Sequence, residues 1–367
     1  MKTILRTFVG CTAILFGTAC MGAVKYVPEN MKVELSLKVP GNNAVNYKLH
    51  PDKLENSYFD YEWRSDNKLP ITVFHKVEER DSCMRLTVQL TAAQDVYFNY
   101  RQLLSTGYRH DNCQFYMPGF WYRRNLRSPK KAPSFHTSDS WLVREDRLSA
   151  PLTGIFSEKE KRFMTVNRLD DFSMDALATH KEGEIILSGK TSLGFTGFEN
   201  QQGIAMLSFG FPYREAPKSY IRKLTLAPEV EAFQLMKKGE SVLLTWEIME
   251  SGADDFSDFI QHTWEHCYDT YAPKPVENSY SIADMKQVLS CFFVNSLVDN
   301  QPLVYNSGIH LKVSDCERNG QAEVGFIGRV LLNAFNAWEY GWQSNREELK
   351  VNSTKIFDSY LKNGFTQ

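Results

Sequence analysis

The residue types best suited to chemistry in this 367-residue chain gather in one run, Phe120-Trp121-Tyr122-Arg123-Arg124-Asn125. Trp121 and Tyr122 offer flat apolar faces with a polar edge, suited to stacking on a sugar ring. The paired arginines carry planar forks that can grip a carboxylate through two parallel hydrogen bonds, as on a uronic acid. Trp121, Tyr122, Arg123 and Asn125 therefore form a candidate carbohydrate-binding set. Arg147, in the run Arg144-Glu145-Asp146-Arg147, is a further candidate for the same cleft, although that run also reads as a surface ion network. The competing reading of the aromatic run is an ordinary strand with one aromatic in the core and its arginines in water.

Other chemistry is less well supported. His262 and His266 lie one helical turn apart, a spacing that permits a metal pair. No third ligand stands nearby in sequence, so a structural role is expected and neither a metal nor another cofactor is assigned. No serine nucleophile elbow and no glycine-rich phosphate loop occurs.

The start of the chain reads as an export signal over residues 1–23. Lys2 and Arg6 supply a basic start, Phe8 to Phe16 an apolar stretch, and Gly17-Thr18-Ala19 the small residues of a cleavage site. The apolar part is too short to span a bilayer. Cys20 follows directly and is a candidate for lipidation, although Gly17 stands where a lipoprotein signal usually has Leu. Simple cleavage after Ala19 or Ala23 is the alternative. The mature protein is thus expected in the periplasm or at the outer membrane, touching lipid only through that possible anchor.

Composition narrows the class. Hydrophobic residues make up 43% and aromatics 13%, enough to bury more than one core. The net charge is −2, and it becomes two units more negative when Lys2 and Arg6 leave. No basic tract suggests a nucleic-acid partner. Of seven cysteines, five lie beyond the signal: Cys83, Cys113, Cys267, Cys291 and Cys316. In an oxidising compartment Cys83 and Cys113 could bridge two strands, or all five could be buried free thiols.

These side chains must be positioned by strands first and helices later. Met31 to Val39 alternates, with Val33, Leu35, Leu37 and Val39 on one face, and Cys83 to Leu90 repeats the pattern. Further strands are expected at 71–77, 96–100, 163–166, 185–187, 204–209, 220–226 and 241–248. Turns are expected at Pro40–Asn43, His50–Asp52 and Lys238–Glu240. Together they predict a large antiparallel β-sandwich over residues 24–253. The period turns helical from Asp254 to Tyr271, and Ala272-Pro273-Lys274-Pro275 stops that helix, so 254–280 reads as a linker helix with a proline-rich linker. In 281–367, Ser281 with Asp284 caps a second helix whose apolar face is Ile282, Met285, Val288, Leu289, Phe292 and Leu297. A third is expected over about Gln321 to Trp342, and Asn345 with Glu348 is expected to cap a fourth.

The run from Asp255 to Tyr271, the Pro-x-Pro linker and Glu323-Val324-Gly325-Phe326-Ile327-Gly328 resemble the six-hairpin glycosidase superfamily. Met117 to Asn125 and Asp146 to Pro151 look like loop segments of its gut-bacterial members. The resemblance implies an N-terminal β-supersandwich followed by an (α/α)6 toroid, of which only the first helical hairpins are present before Gln367. It also implies glycoside hydrolysis, which uses two carboxyl groups, one protonated and one ionised. Glu323 and Asp315, near the entrance of the third helix, are then the catalytic candidates, with another carboxylate expected beyond Gln367. Alternatively, Glu323 only favours the dipole of a helix start. Two functions stay open: a glycosidase-like protein acting on a polysaccharide outside the cytoplasm, or a non-catalytic carbohydrate-binding or surface-assembly lipoprotein.

Overall fold

The computed structural model describes residues 27–80, 83–170, 182–275, 277, 279–295, 297–298, 302–305, 309–312, 315–318 and 329–363. The expected signal segment over residues 1–23, Cys20 and Glu323 lie outside the described residues. Two compact units divide between Ala272 and Pro273.

The first unit is built of strands β1 (Met31–Lys38), β2 (Val45–Lys53), β3 (Tyr61–Arg64), β4 (Ile71–Glu79), β5 (Cys83–Ala92), β6 (Val96–Arg109), β7 (Cys113–Met117), β8 (Trp121–Arg123), β9 (Trp141–Arg144), β10 (Leu152–Ser157), β11 (Arg162–Arg168), β12 (Gly183–Ile186), β13 (Phe195–Gln201), β14 (Ile204–Phe211), β15 (Arg214–Arg222), β16 (Thr225–Met236) and β17 (Ser241–Gly252). One layer runs β2-β1-β6-β14-β13-β9. The other runs β3-β4-β5-β17-β11-β10-β7-β8. Strand β2 joins them: Val45 to Leu49 pair with β1, and His50 to Lys53 pair with β3. His50-Pro51-Asp52 is therefore strand and not the expected turn, because the chain crosses between layers there without reversing. A smaller group, β12-β16-β15, attaches to β6 and β9, and its β12–β16 pairing is parallel where only antiparallel pairing was expected.

Period-two alternation sends apolar side chains of both layers into one core. On β5, Met84, Leu86, Val88 and Leu90 are buried; on β17, Trp246 and Ile248 meet them from the neighbouring strand. Contacts cross between layers: Phe115 stacks on Phe198 at 3.9 Å, and Phe209 meets Trp246 at 5.2 Å. Trp121, Trp141 and Trp246 are all fully buried. At about 25 cal/mol per Å², each such ring contributes on the order of 5 kcal/mol of gross burial. The strand expected at 220–226 is two: the chain reverses at Lys223-Leu224, with Leu224 at a positive φ of 59°. Leucine gives no turn signal, so alternation ran through the reversal. Cys83, Cys113 and Cys267 are buried free thiols, so the possible Cys83–Cys113 bridge is not formed. The two sit on β5 and β7, and the Cys113 Sγ hydrogen-bonds the Arg109 carbonyl instead.

Helix α1 (Phe256–Tyr271) belongs to this unit. The Asp255 carboxylate caps it by accepting from the Ser257 and Asp258 amides at 2.7 and 2.9 Å. Phe256, Phe259, Thr263 and Cys267 are buried, and Phe259 packs on Phe163 and Phe156 of the second layer at 4.9 and 6.0 Å. The helix ends at Ala272, in the left-handed region, immediately before Pro273.

The second unit holds α2 (Ile282–Asn295), short pairs β18 (Leu297–Val298) with β19 (Val304–Tyr305) and β20 (Ile309–Lys312) with β21 (Asp315–Arg318), then α3 (Arg329–Gln343) and α4 (Glu347–Asn363). Ser281 and Asp284 form the expected reciprocal cap. Ile282, Met285, Val288 and Leu289 of the apolar face of α2 are exposed. Val330, Ala334 and Ala337 of α3 close on Leu349, Ile356 and Tyr360 of α4. Residues 315–318, read as a loop approaching the third helix, pair as a strand, since Ile309-His310-Leu311-Lys312 alternates and can pair with them. Asn345 sits at φ 53° and does not cap α4, which begins two residues later. No described helix is long and apolar enough to cross a membrane.

Candidate functional site

The aromatic run sits on β8, the last strand of the second layer, joined to β7 through Pro118-Gly119-Phe120. Gly119 is at φ 77°, and a Cβ there would lie 2.6 Å from the Ser149 Oγ, so the turn requires glycine. Strand geometry then sorts the side chains. Trp121 points inward and is fully buried, packing on Phe198 and Trp141 at 5.1 and 5.8 Å, and its Nε1 donates to the Arg123 carbonyl at 2.9 Å. Tyr122 points outward and is half exposed, its ring 5.4 Å from that of Tyr116. Behind it, the Trp264 indole of α1 donates to the Tyr116 hydroxyl at 2.8 Å, tying the exposed ring to the helix.

Beyond β8 the backbone bends twice through the left-handed region, at Arg123 (φ 58°) and Asn125 (φ 48°). Asn125 holds this bend: its Oδ1 accepts from the Tyr122 amide at 3.0 Å, and its Nδ2 donates to the Phe120 and Pro133 carbonyls at 3.2 and 3.3 Å. That explains an asparagine there, since its short amide tolerates the conformation and satisfies the freed backbone groups. Arg124 is half-buried and held by the backbone. Its guanidinium donates to the Cys113 carbonyl at 3.2 Å and to the Asp111 carbonyl, and lies 4.8 Å from the Phe135 ring centroid.

The result is a surface cleft of about 720 Å³ lined by Gln114 and by residues 122–128. Arg123 reaches along one wall, 4.9 Å from the Phe256 ring centroid and 3.3 Å from the Gln114 Oε1. Arg127, exposed, lies on the same lining, which contains no carboxylate. The nearby Asp255 carboxyl is held below its usual range by its hydrogen bonds from the Asp258 and Ser257 amides, with Arg123 adding to the effect. A stacking ring, guanidinium groups and amide side chains can recognise an anionic, ring-shaped ligand. The lining has no carboxylate and no imidazole.

The other sequence candidates fall elsewhere. Arg147 closes on Glu215, donating at 2.5 and 3.1 Å, and Glu215 is buried and also accepts from Ser219. Arg147 does not line the cleft. The expected surface ion network around it is largely buried: Glu145 is inaccessible and pairs with Arg168 at 2.7 Å, while Arg144 grips Asp146. Asp315 lies on β21 opposite Lys312.

Sequence reasoning missed a second polar cluster. Cys83, Glu247 and His266 place one ligand-type atom each within 4.8 Å of one another, where α1 covers β5 and β17. The His266 Nε2 lies 2.7 Å from a Glu247 carboxylate oxygen, which also accepts from Thr270 at 3.1 Å. His262, by contrast, faces Asp258 at 3.4 Å. Only the long-range pairing of β5 with β17 brings Cys83 and Glu247 together, and no local motif reports that.

No protein-family model matches the chain, and no curated protein does. Among solved structures, a polysaccharide lyase is similar over 64% of this chain and 27% of its own, at 12% identity and a TM-score of 0.31. The Slr1438 protein from Synechocystis sp. PCC 6803 matches over 59% and 73%, at 7% identity and a TM-score of 0.31. A GH36 alpha-galactosidase from Geobacillus stearothermophilus, in complex with raffinose, matches over 60% and 30%, at 9% identity and a TM-score of 0.28. The chain thus spans under a third of the two enzymes. The matches include carbohydrate-active enzymes, at similarity that assigns this chain neither activity nor substrate.

Proposed function

We propose that this chain is an exported, glycosidase-like carbohydrate-active protein whose sandwich binds an acidic oligosaccharide or polysaccharide in the Tyr122–Ser128 cleft. The observation that carries the reading is the half-exposed Tyr122 ring on the same carboxylate-free lining as Arg123 and Arg127. A sugar face stacks on the ring while a uronate carboxylate is held by a guanidinium fork. Export is supported by the basic, apolar and small-residue order at the start of the chain. Hydrolysis is supported by the superfamily resemblance alone, with Glu323 and Asp315 as its candidates. Glycoside turnover that Glu323→Gln abolishes tests that part, and absence of turnover favours the non-catalytic carbohydrate-binding alternative.

Binding is tested by calorimetry of the full chain with an oligouronide and with its carboxyl-reduced, neutral counterpart. The acidic oligosaccharide is expected to bind at least about tenfold more tightly, the equivalent of one charge-assisted contact. Equal affinity for both would remove the guanidinium fork from the reading.

A further inference from the structure

We propose that Cys83, Glu247 and His266 form a binding site for a zinc-class divalent cation. Strand alternation creates the site. Trp246 and Ile248 of β17 face the sandwich core, so Glu247 between them faces the opposite side, under α1. On β5, Met84 and Leu86 face that core, so Cys83 and Arg85 face α1, and Arg85 stands directly opposite Glu247. His266 comes down from the helix. The seam between α1 and this layer is otherwise mainly apolar, with Phe156, Phe163, Met249, Phe256 and Phe259, and it also buries the Cys267 thiol. A carboxylate only 3% exposed is costly in such surroundings, and it is gathered there with a thiol and an imidazole on one oxygen's side and the Arg85 guanidinium on the other.

The donor set selects the ion. Thiolate, imidazole and carboxylate together suit Zn²⁺ or Co²⁺, not the oxygen-seeking Mg²⁺ or Ca²⁺. Bond lengths near 2.0–2.3 Å place tetrahedral ligand atoms roughly 3.3–3.6 Å apart. The His266 nitrogen and Glu247 oxygen, now 2.7 Å apart, need only spread slightly. The thiol sulfur, within 4.8 Å of both, needs to approach by at most about 1 Å. Arg85 lies 3.6 Å from the other Glu247 oxygen and Thr270 beside the first. They hold the carboxylate in place, and three protein ligands leave a fourth position for water.

The test uses the reduced, chelator-stripped full chain titrated with Co²⁺ and then Zn²⁺. One cobalt per chain is expected, with tetrahedral visible bands and a thiolate-to-cobalt charge-transfer band in the near ultraviolet, all displaced by zinc. Cys83→Ser should abolish the charge-transfer band, and His266→Gln should weaken uptake at least about tenfold, while Cys291→Ser changes neither. Absent stoichiometric uptake, a cobalt spectrum without the thiolate band, or a band unchanged in Cys83→Ser would each overturn the site. If Cys83→Ser does not fold, Glu247→Gln replaces it, with a weakened band expected and an unchanged one contradicting the proposal.

Discussion

The Phe259 ring fills the space in front of Gly154: a Cβ on that glycine would lie 2.5 Å from the Phe259 Cζ and 3.1 Å from the Thr165 Cγ2. Glycine on β10 is therefore what lets α1 dock on the second layer, and α1 in turn carries Trp264 to Tyr116 behind the cleft. Gly154→Ala is expected to cost about 1–3 kcal/mol through overpacking. In a Phe259→Leu background the same change should cost less. Urea unfolding of the four variants measures this coupling, and strictly additive losses would mean that the ring and the glycine do not constrain each other.

Arg168 and Glu145 form a buried pair at 2.7 Å, with the Gly194 amide donating to the same carboxylate oxygen and Asp170 accepting from the Arg168 Nε. Removing one partner strands a charge, so Glu145→Ala is expected to lose about 3–5 kcal/mol. Replacing both, as Glu145→Leu with Arg168→Met, should recover most of that loss. Denaturant midpoints of the single and double variants decide it; a single variant within about 1 kcal/mol of wild type would show the pair to be unimportant.

His75 is fully buried between the layers, 2.7 Å from the Tyr100 hydroxyl and 5.1 Å from the Trp63 ring, and burial pushes its pKa down from 6.5 to about 3. The folded state thus resists protonation that the unfolded chain accepts. The stability contribution is fully present above pH 6.5 and is lost as the pH falls from there toward 3, at up to about 1.4 kcal/mol per pH unit. His75→Gln should flatten the fall in unfolding free energy between pH 6 and pH 4. An identical slope in the variant would assign the acid sensitivity to other groups.

How far the sequence carries varies by element. The alternation of β5 and the helical spacing of α1 survive, because a half-buried strand or helix records its burial in its period. In β1 the alternation holds through Val33 and Leu35 and then fails, with Ser36 buried and Val39 exposed beyond the strand. Trp121 and Tyr122 show the limit: their types suggest one binding pair, while the pleat buries one and exposes the other. Asn125 lines the cleft as a binding candidate and also clamps a left-handed bend, information held in φ and not in residue type. Cys83 is separated from Glu247 and His266 by most of the sandwich, so their meeting depends on strand pairing across more than 150 residues.

The central claim is recognition of an acidic sugar by the cleft, and affinity for an oligouronide in Tyr122→Ala and Arg127→Ala tests it most directly. Arg127 lies on the surface, so Arg127→Ala should keep wild-type thermal stability. Tyr122 packs on Tyr116 and its hydroxyl accepts from the Gly119 amide at 3.3 Å, so Tyr122→Ala should fold with a loss of about 1 kcal/mol. Each is expected to weaken binding by about tenfold or more, and Arg127→Ala should also reduce its salt dependence. Wild-type affinity in both variants, with the fold intact, would contradict the account.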